Sequence, residues 1–169
     1  MRAKKFTAAV VMAAIAAIGF APLANAAVRP TTAQKLQLQY LIEEEKLARD
    51  VYLYLAANVT TSKFSNIAKS EQTHMDQIAA VLKTYNYFNP TTTRAPGVFR
   101  DKTLQALYNT LIAQGSVDVA AAMQVGRDIE NLDIKDLQVM LKATMPADMK
   151  LALDNLLKGS YNHLAAFSR

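Results

Sequence analysis

From Thr31 to Phe167 the apolar residues recur three and four positions apart, and no segment shows the strict alternation of a half-buried strand. That periodicity restricts the chain to an all-α fold. Breakers divide it into helices. The first is expected from about Thr31–Thr32, where threonine can cap, to Asn58, with Leu38, Leu41, Ala48, Tyr52 and Leu55 on its apolar face. A second, after the polar break Thr60–Thr61–Ser62, runs from about Ser62 to Tyr85 and buries Phe64, Ile67, Met75, Ile78 and Leu82. Residues 86–100 form the longest irregular stretch, broken at Asn89–Pro90 and Ala95–Pro96–Gly97. A shorter helix follows, roughly Asp101 to Gln114, with Leu104, Leu107, Tyr108 and Leu111 on one side. Gly115 ends it, and Ser116 is placed to cap the next, about Ser116 to Ala143, whose buried face reads as Ala120, Met123, Leu137 and Leu141. Pro146 suits the first turn of a last helix reaching about Phe167. Four long helices with one long connection between the second and third predict a four-helix bundle with a long crossover carrying an extra short helix.

The N-terminus reads as a leader. Arg2, Lys4 and Lys5 precede an apolar run from Phe6 to Leu23, and Ala24–Asn25–Ala26 supplies the small-x-small pattern of a cleavage site. Residues 1–26 are therefore expected to be a cleavable signal peptide, and 27–169 a single domain exported to the periplasm or beyond the cell. Export corrects the charge. The full chain carries +5, but removing Arg2, Lys4 and Lys5 leaves 16 basic residues against 14 acidic, about +2. No basic cluster with interleaved aromatics survives, so no nucleic-acid partner is expected, and no second segment is long enough to span a bilayer. The chain has no cysteine, so packing, ligands or both must hold the domain together.

The chemistry lies in a scarcity. The chain has five glutamates, Glu43, Glu44, Glu45, Glu71 and Glu130, and two histidines, His74 and His163. Most of them fall inside apolar stripes. Glu71-x-x-His74 shares a helix face with Ile67, Met75 and Ile78, because residues three apart are neighbours. A carboxylate there is expensive to bury unless paired or metal-bound. Glu71 can pair with a basic residue while His74 sits as a satisfied core histidine, or both can ligate a metal. Within Glu43–Glu44–Glu45, Glu43 projects with Lys46 and Asp50 and reads as solvated. Glu45 lies over Leu41, Ala48 and Tyr52, and Glu44 is partly inward, near Val51 and Leu55. Glu130 falls in the stripe of Met123, Leu137 and Leu141, while Asp128, Asn131 and Lys135 point away and Asp133 sits at the stripe's edge. In the last helix Ser160 and His163 lie on the core face with Met149, Leu153, Leu156, Leu164 and Phe167. Gly159 beside them costs a helix about 1 kcal/mol, which points to close packing or a local widening. Four helices thus aim donors into one core. Carboxylates mixed with imidazoles and no thiolate favour iron or manganese, with zinc possible.

These residues carry a resemblance. A Glu on the first helix, E-x-x-H on the second and further acid and histidine on the last two resemble the ferritin-like di-iron carboxylate superfamily. Glu45-x-x-Ala48-Arg49-x-x-Tyr52 looks like the first-helix motif of its rubrerythrin branch. More closely, EEEKLARDVY, FSNIAKSEQTHM, GRDIENLDIKDL and GSYNHLAAF resemble, in order, the bacterial ferritin-like family DUF2202 from about Gln39 to Phe167. The resemblance implies a ferritin-like bundle and no particular reaction. It also marks a departure: Ser160 stands where a second E-x-x-H would place glutamate, three residues before His163. Asp133, three residues after Glu130, is the acid that can compensate.

Two functions follow as expectations. One is a di-iron or di-manganese protein reacting with oxygen or peroxide, with Glu45, Glu71, Glu130, His74, His163 and Asp133 as ligands and Glu44 a weaker one. Glu71 would bridge, and Tyr52 would hydrogen-bond to a ligand, carry a radical or simply fill the core. Lacking a C-x-x-C pair, such a protein takes electrons from a separate donor. The other is a non-enzymatic bundle, structural or a metal carrier, with Met75, Met123, Met140, Met145 and Met149 available for copper or serving as core filler. Classical iron storage needs a shell of subunits, which one chain does not reveal.

Overall fold

The structure, a computed structural model, describes residues 28–169. The expected leader, 1–26, lies outside the described residues. Five helices and no strand occur among those described: α1 Thr32–Asn58, α2 Lys63–Thr84, α3 Lys102–Gly115, α4 Val119–Met140 and α5 Ala147–Phe167. Three of them, α1, α3 and α4, begin at a side-chain cap. Thr31 caps α1 through a capping box with Gln34, and Asp101 caps α3 by accepting from the backbone of Thr103 and Leu104. Asp118, not Ser116, caps α4 by accepting from Ala121 N. A carboxylate two residues on wins because the hydroxyl of Ser116 is already turned back onto Ile112 O at 2.6 Å. Pro146 stands at the N-cap of α5, one residue earlier than its expected place in the first turn.

α1 packs most extensively on α2 and α4 on α5, while α2 meets α5 and α1 meets α4, closing a ring of four long helices. α3 packs across α1 and α4, and also holds the preceding loop through Gln105 and the Phe99–Tyr108 ring contact. Two apolar clusters fill the interior. One gathers Val51, Tyr52, Phe64, Leu104, Val125 and Phe167. The other gathers Leu38, Leu41, Ile78, Leu137, Met149 and Leu153. The expected stripe of α4 needs correction: Ala120 is exposed, and its place is taken by Ala122, Val125, Gly126 and Ile129. The cause is the later start of the helix, which puts Ala120 in the first turn. Met75, Met140 and Met149 are core filler.

Glu43, Lys46 and Asp50 share one face of α1, as their spacing requires, but that face is not solvated. They are 4%, 1% and 2% exposed. The loop between α2 and α3 covers them because its backbone groups have no helical partners and need them from elsewhere. Glu43 accepts from Arg100 N at 2.5 Å and from Asp101 N. Asp50 accepts from Gly97 N at 2.8 Å and pairs with Lys46, whose ammonium also donates to Ala95 O at 2.9 Å and lies 4.5 Å from the Phe99 ring centroid. Gly97 has a φ of +73°, and a Cβ there would press on the Tyr108 ring at 2.9 Å. Removing Asp50 leaves Lys46 buried and unpaired. Asp50→Ala is expected to lower unfolding stability by about 3–5 kcal/mol in urea denaturation; a loss below about 1 kcal/mol would show that the pair does not anchor the loop.

Candidate metal centre

Between the two apolar clusters each long helix changes character at the same level. On α1 the buried Leu38, Leu41 and Ile42 give way to Glu45 before Leu47 resumes the apolar face. On α2 Glu71 and His74 interrupt Ala68 and Met75. On α4 Glu130 and Asp133 interrupt Ile129 and Leu137, and on α5 Ser160 and His163 interrupt Leu156 and Phe167. The result is one polar layer sealed above and below. Its members are almost wholly buried: Glu45 and Glu130 at 0%, Glu71 at 1%, Asp133 at 2%, His74 at 4% and His163 at 7%.

Glu71 is at the middle. Its Oε2 lies 2.8 Å from His74 Nδ1 and its Oε1 lies 2.8 Å from His163 Nδ1. The two rings stand 5.4 Å apart at 29°. One terminal carboxylate completes each half: Glu45 Oε2 is 3.1 Å from His74 Nδ1, and Glu130 Oε2 is 3.5 Å from His163 Nδ1. Donors of Glu71, His74 and His163 all fall within 4.8 Å of one another. Of these close pairs, His74 Nδ1 and Glu45 Oε2 are hydrogen-bonded; the others are not. Both oxygens of Glu71, together with Glu45 Oε1, Glu130 Oε2, Asp133 Oδ2 and His163 Nδ1, have no hydrogen-bond partner. Buried donors and acceptors are normally satisfied. Lone pairs that crowd a shared space without satisfying each other fit a cation held between them. The set of carboxylate oxygen and imidazole nitrogen suits iron, manganese or zinc.

The surroundings orient these ligands. Tyr52 donates to Glu130 Oε1 at 2.7 Å, which leaves Oε2 toward the centre. His163 Nε2 meets Ser70 Oγ at 2.9 Å, so a neutral ring that donates there presents its Nδ1 lone pair inward. Gly159 is explained by His74: a Cβ at that position would collide with Nε2 of the ring. Ser160 is buried on the core face, but its hydroxyl donates to Leu156 O at 3.1 Å. Ser70 and the Gly159–His74 contact carried no signal in the sequence beyond the misplaced glycine, since each depends on two helices meeting. Glu44 turns away from the layer toward Asp136 on α4, as its place one residue before Glu45 dictates.

Without a metal the layer balances its charge with protons. Burial alone would hold the imidazoles low, but Glu45 and Glu71 bring His74 up to about 10, and Glu130 and Glu71 bring His163 up to about 9. Burial pushes Glu71 upward, yet the two imidazoles outweigh it and hold that carboxyl at about 2. Burial lifts Glu45 to about 8, against the pull of His74, and lifts Glu130 to about 7, against that of His163. Asp133 is raised by burial and by its acidic neighbours Glu45, Glu130 and Glu44. Among the described residues, no lysine or arginine pairs with any of these carboxylates.

Residues 34–169 match the family described as an uncharacterized protein domain, DUF2202. The chain belongs to this family. This DUF2202 chain is similar to the uncharacterized protein MJ0754 of Methanocaldococcus jannaschii, with 45% identity over 127 residues that span 75% of this chain and 69% of that protein. Its fold is similar to the crystal structure of the hypothetical protein MJ0754 from the same archaeon, at a TM-score of 0.79 and 42% identity over 82% of this chain and 79% of that chain.

The proton balance of this DUF2202 domain has a measurable sign. Glu45, Glu130, His74 and His163 all titrate above their ordinary values of 4.5 and 6.5, so the native apoprotein holds more protons than the unfolded chain. Stability falls with rising pH wherever that is true. Glu71 acts oppositely, but only between its ordinary 4.5 and about 2. Metal-free protein is therefore expected to melt at a lower temperature at pH 9 than at pH 6. A midpoint that stays level or climbs over that interval contradicts the protonated layer.

Proposed function

We propose that this chain is an exported ferritin-like four-helix bundle with a long crossover, holding a non-haem dinuclear iron or manganese centre that reacts with oxygen or peroxide. The observation that carries the reading is the two-sided contact of Glu71, one oxygen on each imidazole, with a terminal glutamate beyond each. Glu45, Glu71 and His74 would hold one ion, and Glu71, Glu130 and His163 the other, with Asp133 the nearest remaining carboxyl. Resident metals would supply the one-electron steps in this cysteine-free chain. The protein's own part is to position and to exclude. Tyr52 and Ser70 fix the orientation of Glu130 and His163, Gly159 admits the ring of His74, and the two apolar clusters keep bulk water out. Electrons would come from a separate donor.

Ser160 favours a second reading. Its hydroxyl is turned to its own helix, so Glu71 is the only residue of the layer in contact with both imidazoles. A centre with one bridge suits a metal carrier or buffer with no redox reaction as well as an oxidoreductase. Both readings require metal at this site, whereas a purely structural bundle does not. Anaerobic melting with and without Fe2+ or Mn2+ separates them from the structural case. At free metal about a hundredfold above Kd the wild type gains about 2.7 kcal/mol, a rise of several degrees. Glu71→Ala and His163→Ala are expected to lose that rise. A wild-type midpoint unmoved by either metal, with both variants strongly destabilised, would support the structural bundle instead.

A further inference from the structure

Of the acidic triplet on α1, Glu45 belongs to the central layer and Glu43 to the loop, which leaves Glu44. Of the contacts between the long helices, that between α1 and α4 is the least extensive, and a cavity of about 390 Å³ lies in the seam. Its lining is apolar at Leu36, Tyr40, Val139 and Met140. The exceptions include two carboxyl groups that lie beside each other, Glu44 from α1 and Asp136 from α4. Asp136 is half-buried and reaches solvent. Glu44 is 3% exposed, and its Oε1 has no hydrogen-bond partner. One helical turn from Asp136, Asp133 is also buried, with its Oδ2 unpartnered, and it feels the charges of Glu45, Glu130 and Glu44. No lysine or arginine among the described residues forms an ion pair with Glu44, Asp136 or Asp133. Arg100 lines the neighbouring cavity and lies over the Phe88 ring at 5.1 Å.

Burial deepens across the three acids, from half-buried Asp136 to Glu44 at 3% and Asp133 at 2% exposed. We propose that Glu44 and Asp136 form an outer divalent-cation site, and that Asp133 relays cations from it to Glu45 and Glu130 of the buried centre. The proposal rests on the metal-binding reading of that centre. Its chemistry is distinct from the centre's. Two carboxylates balance one divalent charge, and an all-oxygen pair holds Mn2+ or Fe2+ as a hard, labile ion. The imidazoles are confined to the inner layer, so a cation moving inward gains nitrogen ligands. Clefts lined by one sign of charge raise capture rates by about 10- to 1,000-fold. The unpartnered Oε1 of Glu44 is what distinguishes this pair from ordinary surface acids.

The test uses the full metal-free chain under anaerobic conditions, with Co2+ as the probe. Stopped-flow absorbance follows the ligand-field bands that appear as Co2+ takes imidazole ligands in the centre. Asp136→Asn and Glu44→Gln are expected to slow that filling about tenfold while leaving its final amplitude unchanged, and to abolish a weaker class of Mn2+ site in an electron paramagnetic resonance titration. Asp136 is half-exposed, so its variant carries the test even where Glu44→Gln does not fold. Filling at the wild-type rate with unchanged Mn2+ stoichiometry in Asp136→Asn overturns the outer site and leaves the centre standing. Wild-type protein that takes up no Co2+ overturns the centre itself, and the outer site with it.

Discussion

A carboxylate moved from water into an apolar interior has to be protonated, paired with a cation or bound to metal. This chain moves Glu45, Glu71, Glu130 and Asp133 into one layer with no basic residue among the described ones but His74 and His163 to meet them. The rest of the molecule is arranged around that constraint. The apolar clusters above and below the layer anchor all four long helices, so each donor is delivered from a rigid element and not from a loop. Small residues appear where the layer needs room, as at Gly159 against His74, or where helices close tightly beside it, as at Gly126 against Phe167.

The polar resources of the chain divide between two tasks along α1 alone. Glu45 and Tyr52 face inward, Tyr52 reaching across to Glu130 on α4. Glu43, Lys46 and Asp50 face the connection and supply the partners that its backbone lacks. Glu44 faces α4, beside Asp136. Three consecutive glutamates therefore serve three different neighbours, because successive side chains on a helix point about 100° apart. A triplet that looks like a solvated charge run is spent entirely on the interior.

Much of this was legible in the sequence because helices write their own periodicity. The five helices, their breaks and the inward placement of Glu45, Glu71, Glu130, His74 and His163 follow from spacing alone. Asp133 lies deeper than the edge of the α4 stripe where its spacing puts it, and Ala120 at the start of that stripe is exposed. What failed had a common cause. Glu43, Lys46 and Asp50 look solvent-facing in a helical wheel, since a wheel does not show that an irregular loop will lie across that face. The pairing of His163 with Ser70, and the fit of Gly159 to His74, depend on how two helices meet in space. The stripe of small and acidic residues on one helix cannot specify its counterpart on another.

In the proposed centre Glu71 would serve two metal ions, with His74 Nδ1 a ligand of one and His163 Nδ1 a ligand of the other. Crystals of the protein loaded anaerobically with Mn2+ or Fe2+, measured at the absorption edge of the metal, test it most directly. Two anomalous peaks flanking the Glu71 carboxylate, one ligated by His74 Nδ1 and the other by His163 Nδ1, are the expected result. A loaded crystal with no anomalous peak between these side chains, or with its metal bound elsewhere, would contradict it.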